Sequence, residues 1–197
     1  MSFASAAGDH APVPERRLRI SDPHALRALA HPLRLALLDR LMSFGEQTAA
    51  QCAAAVGSTA SNCSYHLRAL ARVGLVARGE SSDGRERPWH ATATGLEFGP
   101  ADSPAAAAAA RALEELERAT DEELARRARD RHGSLPPDWR AAETEHAYGL
   151  RLTAAELARL VADIDALVRP YIGLTRGRGP DGAEVAHLRL QAFRHPE

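Results

Sequence analysis

Between Thr59 and Arg72 the sequence sets hydroxyl, amide, phenol and guanidinium side chains at helical spacing. At about 100° per residue, Ser61, Ser64, Tyr65, Arg68 and Arg72 fall within one arc, and Cys63, Leu67, Leu70 and Gly74 lie opposite. One face is small and apolar, fit to pack. The other carries donors and acceptors of the kind that read base edges in a major groove, with cations for the flanking phosphates. Thr59 and Asn62 sit in the first turn, the part of such a helix that approaches a duplex. A merely solvated amphipathic face would show the same arc, so the surrounding elements must decide between the two.

Other chemistries find fewer residues. Two cysteines, Cys52 and Cys63, are too few for a disulfide framework. Cys63-x-x-His66 offers two zinc-ligand types, but Cys63 lies on the inward arc, where a buried thiol behaves as a small hydrophobe. Asp130 precedes His132 by two residues with no later His and Glu pair on a helix, and His146 falls at the start of a predicted strand. The expectation is no metal site and no cofactor. There is no glycine-rich phosphate loop, no G-x-S-x-G and no helix bearing paired metal ligands, so an enzyme is not expected. The acidic run Glu114, Glu115, Glu117, Asp121, Glu122 and Glu123 reads as a solvated helix face.

The elements that position the polar arc follow from caps and breaks. Residues 1–19 lack periodicity and read as a flexible arm. Ser21 before Asp22-Pro23 opens a helix with Leu26, Leu29 and Ala30 inward, and His31-Pro32 interrupts and restarts it. Leu33, Ala36, Leu37, Leu41 and Phe44 then recur at helical steps up to Gly45. Thr48 caps a short alanine-rich helix over 49–56, ended by Gly57; Ser58 or Thr59 caps the next, over 60–73, ended by Gly74. Two short helices joined by a glycine-bearing turn make a helix-turn-helix. Residues 75–78 and 87–91 read as strands joined by a turn at 81–84, a hairpin that makes the motif winged. Arg85 and Arg87 at its tip are placed for a minor groove or its phosphates, or else form a charged turn with Asp83 and Glu86. Arg34, early in the helix after Pro32, is placed for a phosphate or for an internal ion pair with Asp39 or Glu46.

Three stretches, LAHPLRLALLDRL, AAQCAAAVGSTASNCSYHLRALARVGLVARGE and GRERPWHATATG, together resemble the ArsR-type winged-helix repressors over roughly residues 24–97. His66-Leu67, Leu70 and Gly74-Leu75-Val76 are the most specific part. The resemblance implies a transcriptional regulator, a repressor, that binds a palindromic double-stranded DNA operator as a homodimer. It puts Ser61, Asn62, Ser64, Tyr65 and Arg68 on the reading helix. The ligand sets of metal-sensing relatives are missing, which points to a non-metal-sensing branch. The alternative is a winged helix used only to bind protein.

The expected fold is mainly α with small β: a winged helix-turn-helix over 20–100, then a helical and α+β dimerisation or effector region over 101–197. A long helix from Pro104 is expected to restart at a Thr120/Glu123 capping box and close at Gly133; its small residues suit a dimer seam. Thr153 and Glu156 cap a further helix to about Tyr171, striped with Leu157, Leu160, Val161, Ile164, Leu167 and Val168. Strands at 147–152 and 185–192 are expected to pair into a small sheet under that helix. Trp139, Tyr148, Tyr171 and Phe193 would then form core, the preferred reading, or line a pocket for a small-molecule effector. No run approaches the roughly 20 apolar residues of a membrane span and none resembles a signal peptide, so a cytoplasmic protein is expected. All 25 basic residues are arginine, whose planar fork suits phosphates and guanine edges. The formal net charge is −1.

Overall fold

The computed structural model describes residues 17–80, 87–98, 101–172 and 181–196, which form seven helices and four short strands. Leu18 and Ile20 alternate in a run of four that proves to be a strand. This strand, β1 (Arg17–Ile20), pairs in parallel with β4 (Gly95–Phe98), Arg17 opposite Gly95 and Ile20 opposite Phe98. The arm expected over 1–19 thus gives way to structure at Arg17. Neither strand was expected, because two alternations are too few to separate a strand from a loop without its partner.

Asp22, not Ser21, caps α1 (Pro23–Leu29), accepting from the backbone N–H groups of His24 and Ala25 at 3.2 Å each. The second helix, α2 (Pro32–Phe44), begins on proline, which presets the backbone and has no N–H to leave orphaned. It ends at Gly45, whose φ of 73° is open to glycine at no steric cost. Thr48 and Gln51 form a reciprocal capping box at the start of α3 (Ala49–Val56). Gly57, left-handed, turns the chain into α4 (Ala60–Arg72), capped by Thr59. The wing strands β2 (Val76–Arg78) and β3 (Trp89–Ala91) pair antiparallel, Val76 opposite Ala91. Gln47 adds a bridge to Trp89. The hairpin turn expected at 81–84 lies outside the described residues.

One apolar cluster joins these elements: Leu26 and Leu29 of α1, Leu37, Leu38 and Leu41 of α2, Cys52 of α3, Leu67 and Leu70 of α4, and Trp89 of the wing. Phe44, expected on the inner face of α2, is exposed and lies under the Arg40 guanidinium, 3.7 Å from its ring centroid. The long helix α5 (Pro104–His132) docks on α1 and buries Ala106, Ala109 and Leu113. It runs unbroken through Thr120. The Thr120 hydroxyl donates back to the Leu116 carbonyl at 2.9 Å, and Glu123 accepts from Arg126 and Arg127. A capping box needs the backbone to leave the helix, and no glycine or proline here makes it do so.

Among the described residues none after Leu113 is buried. A short helix, α6 (Pro137–Ala142), follows the Pro136-Pro137 break. The helix expected from Thr153 is α7 (Ala154–Ile172), with Thr153 and Glu156 bonded reciprocally at its start. The strands expected at 147–152 and 185–192 do not form: neither segment takes up regular structure or makes a backbone ladder among the described residues. Alternation supplies a face, while a strand also needs a neighbouring edge. Tyr148, Tyr171 and Phe193 are exposed and Trp139 half-buried, so these four aromatics do not form the expected core in the single chain.

Candidate nucleic-acid interface

The winged motif presents α4 as its outer helix. Cys63, His66, Leu67 and Leu70 are buried on one side, while Thr59, Ser61, Asn62, Tyr65, Arg68 and Arg72 are exposed on the other and Ser64 is half-buried. Tyr65 keeps 62% of its surface in solvent. With Arg68, Ala71 and Arg72 it lines an open depression of about 560 Å³. A phenol and two guanidiniums lining one open face suit an anionic ligand of extended shape.

Two residues on this face are also engaged within the protein. The Thr59 hydroxyl accepts from the Asn62 backbone N–H at 3.2 Å, and the Asn62 amide donates to the Ser58 hydroxyl at 3.1 Å. The cap thereby holds the first turn of α4 in place, leaving the Thr59 hydroxyl proton and the Asn62 carbonyl for a ligand. Arg34 is bound inward, although neither by Asp39 nor by Glu46. Its Nε donates to the Ala28 carbonyl and its terminal nitrogen to the Arg27 carbonyl at 3.1 Å, so it caps the C-terminal end of α1. This is a structural duty that residue type and spacing could not show. At the wing, Arg87 is exposed, and Arg85 lies outside the described residues. Arg78, not singled out from sequence, stacks on the Trp89 ring at 3.9 Å and donates to the Arg87 carbonyl at 2.6 Å, tying the two strands together.

Beneath the open face lies a pair of imidazoles that sequence reasoning missed. His31, at the α1–α2 corner, and His66 of α4 have ring centroids 4.6 Å apart, and Tyr65 meets His66 edge-on at 5.2 Å. The Nδ1 of each histidine is buried without a hydrogen-bond partner. Burial holds both imidazoles below their usual range; Arg34 pushes both further down, and His31 does the same to His66. The signal available in the sequence was His66 on the inward arc, which a neutral, packed histidine can occupy.

The thiols are equally inward. Burial pushes Cys52 up to about 11, helped by the neighbouring Cys63, and it raises Cys63 as well. Both are protonated thiols at neutral pH and poor nucleophiles. Among the described residues no three or more His, Cys, Asp or Glu side chains converge as a metal site. No helix among them is long and apolar enough to cross a membrane.

Residues 29–78, from the end of α1 to the end of β2, match a family described as a helix-turn-helix domain. The chain carries a winged helix-turn-helix. A solved structure described as a "possible transcriptional regulator for arsenical resistance" is 32% identical. That match covers 50% of this chain and 95% of the other, with a TM-score of 0.32. No curated protein matches the chain. In the winged helix-turn-helix seen here, α3 and α4 are the paired helices and β2 and β3 the wing.

Proposed function

We propose that the protein is a sequence-specific DNA-binding transcriptional regulator, a repressor, that holds a palindromic operator as a homodimer. Residues 20–100 serve as the DNA-binding domain and 101–197 as the dimerisation and effector region. The observation that carries this reading is the two-sidedness of α4: four buried side chains fix it to the core while Tyr65, Arg68 and Arg72 stand open beside its hydroxyl-rich first turn. Ser61, Asn62, Ser64, Tyr65 and Arg68 contact base edges; Thr59, Arg72 and the wing residues Arg85 and Arg87 contact the backbone. Arg34 acts indirectly, by fixing the corner under α4. The solvent-facing part of α5 beyond Leu113 supplies a seam for a second copy, since one reading helix alone specifies few base pairs. Cys52 and Cys63 face the core, which supports a reading without a thiolate-bound metal as the releasing signal.

Selecting bound duplexes from a random pool tests the reading. The winners should share an inverted repeat with half-sites centred about 10 base pairs, or one helical turn, apart. Affinity should fall with salt at about 0.9 log unit per log unit for each phosphate neutralised. A salt-independent interaction, or no enrichment over the starting pool, defeats the proposal.

A further inference from the structure

The imidazole pair beneath α4 lies where its charge state bears on the position of the open face. Three rings touch in succession: His31 at the start of α2, His66 with its centroid 4.6 Å away, and Tyr65 edge-on to His66 at 5.2 Å. Each histidine has a buried Nδ1 without a hydrogen-bond partner. The groups that face the pair are cationic or uncharged at neutral pH. Arg34 of α2 faces both rings, and the Ala28 and Arg27 carbonyls at the end of α1 hold it in that corner. Tyr65 meets His66 from within α4, while α1, α3 and β2 pack on α4 through apolar side chains and the protonated Cys52 thiol. Among the described residues no carboxylate faces the pair to neutralise an added proton.

We infer that the pair is a proton switch: protonation of His31 and His66 drives the two rings apart, shifts α4 with Tyr65, and weakens DNA binding. The inference rests on the DNA-binding reading above and assigns a regulation to that same face. With both rings protonated, Arg34 makes a third cation in one corner of the core, and like charges this close repel strongly where water is scarce. The two rings differ in how they can escape. His31 is half-buried at a helix start where its side chain makes no capping bond, so it can turn outward. His66 is 9% exposed and shares the packed side of α4 with Cys63, Leu67 and Leu70. Its ring reaches water only if the helix shifts, and Tyr65, Arg68 and Arg72 ride on that helix. Burial and Arg34 hold both imidazoles below their usual range, although at His31 the residue's own backbone carbonyl pulls the other way. The closed pair therefore prevails at neutral pH and is lost as pH falls. Exposed histidines act with the opposite sign. A proton gained beside phosphate tightens DNA binding in acid, so a loss of affinity there marks the buried pair.

The test compares the full wild-type chain with His66→Leu and with His31→Gln, each lacking one ring of the pair, at about pH 7.5 and about pH 5.5. Without DNA, the readout is amide protection, corrected for the intrinsic pH dependence of exchange. On acidification, protection over 60–72 in α4 should fall at least about tenfold more in the wild type than in either variant. With DNA, the probe is a labelled duplex recovered from the random pool. The wild-type dissociation constant should rise at least about tenfold in acid, the effect of one linked proton over one pH unit, while that of each variant changes less than about threefold. Each protein is compared with itself, which cancels any effect of a substitution on neutral affinity, and either variant that folds suffices. Unchanged α4 protection in the acidified wild type, affinity that holds or tightens in acid, or equal pH dependence in the variants would each overturn the inference. A pool that yields no duplex refutes the regulator reading, and the exchange measurement then decides the switch by itself.

Discussion

Replacing His66 with leucine tests whether the imidazole pair beneath α4 is held neutral by its surroundings. His66 is 9% exposed, its Nδ1 is buried without a partner, and its ring lies 4.6 Å from that of His31. An unmet buried acceptor costs about 1–3 kcal/mol, and a side chain of similar volume removes that cost, so His66→Leu should stabilise the protein by about 1 kcal/mol near neutral pH. The pH dependence is the sharper readout. Both histidines have folded-state pKa values below the ordinary 6.5, for burial and for the facing Arg34. Below about pH 6.5 the unfolded chain therefore binds more protons than the folded one. Their contribution is complete above that pH and is lost as pH falls towards the folded pKa values. Each proton so linked gives a slope of at most about 1.4 kcal/mol per pH unit. His66→Leu removes one linked proton, so its advantage over the wild type should grow by up to about 1.4 kcal/mol between pH 6.5 and 5.5. Urea unfolding at fixed protein concentration, followed by circular dichroism across that range, measures the difference. Parallel stability profiles for the two proteins would refute the reasoning.

Other perturbations address the reading helix and its supports. Arg68→Ala should weaken operator binding by about 1–3 kcal/mol and relax preference at one base position; unchanged affinity and unchanged preference in a competition assay would remove Arg68 from the interface. Leu67→Ala, at a fully buried position of α4, should cost about 2–5 kcal/mol of stability in chemical unfolding. Thr48→Ala breaks the capping box of α3 and should cost about 1 kcal/mol, read as a lower urea midpoint with an unchanged slope. Stoichiometric Zn(II) should leave operator affinity unchanged, because Cys52 and Cys63 are buried, protonated thiols; a roughly tenfold loss of binding on adding zinc would contradict this.

The reading helix was legible because its sequence states both of its faces within 14 residues. Cys63, Leu67 and Leu70 mark the side that packs, Tyr65, Arg68 and Arg72 the side that does not, and Thr59 with Gly74 bounds the span. The caps at Thr48, Gly57 and Thr153 were legible for a similar reason: the cap and its helix are neighbours in the chain, so the interaction is local. What escaped depended on partners remote in sequence. Strand β1 exists because Gly95–Phe98 lies beside it, more than 70 residues along, and Arg34 is a cap because the end of α1 folds back within reach of it. His31 and His66 meet only because α4 packs across the α1–α2 corner.

The C-terminal region separates two kinds of information that are easily confused. Its sequence has clear periods, 3.6 in α7 and 2 in the segments on either side, and the period correctly gives the helix. A period reports that one face differs from the other; it does not report what covers the apolar face. Within the α1–α4 core the cover comes from the same chain, and period and burial agree, as at Leu67 and Leu70. In α7 they agree only in part, for Leu157, Val161, Ile164 and Val168 are half-buried while Leu160 and Leu167 on the same stripe are exposed. A helix of mixed composition gains most of its stability from burying its apolar face. The half-buried residues of the α7 stripe show how far its own chain covers it, and the period alone could not have given that extent.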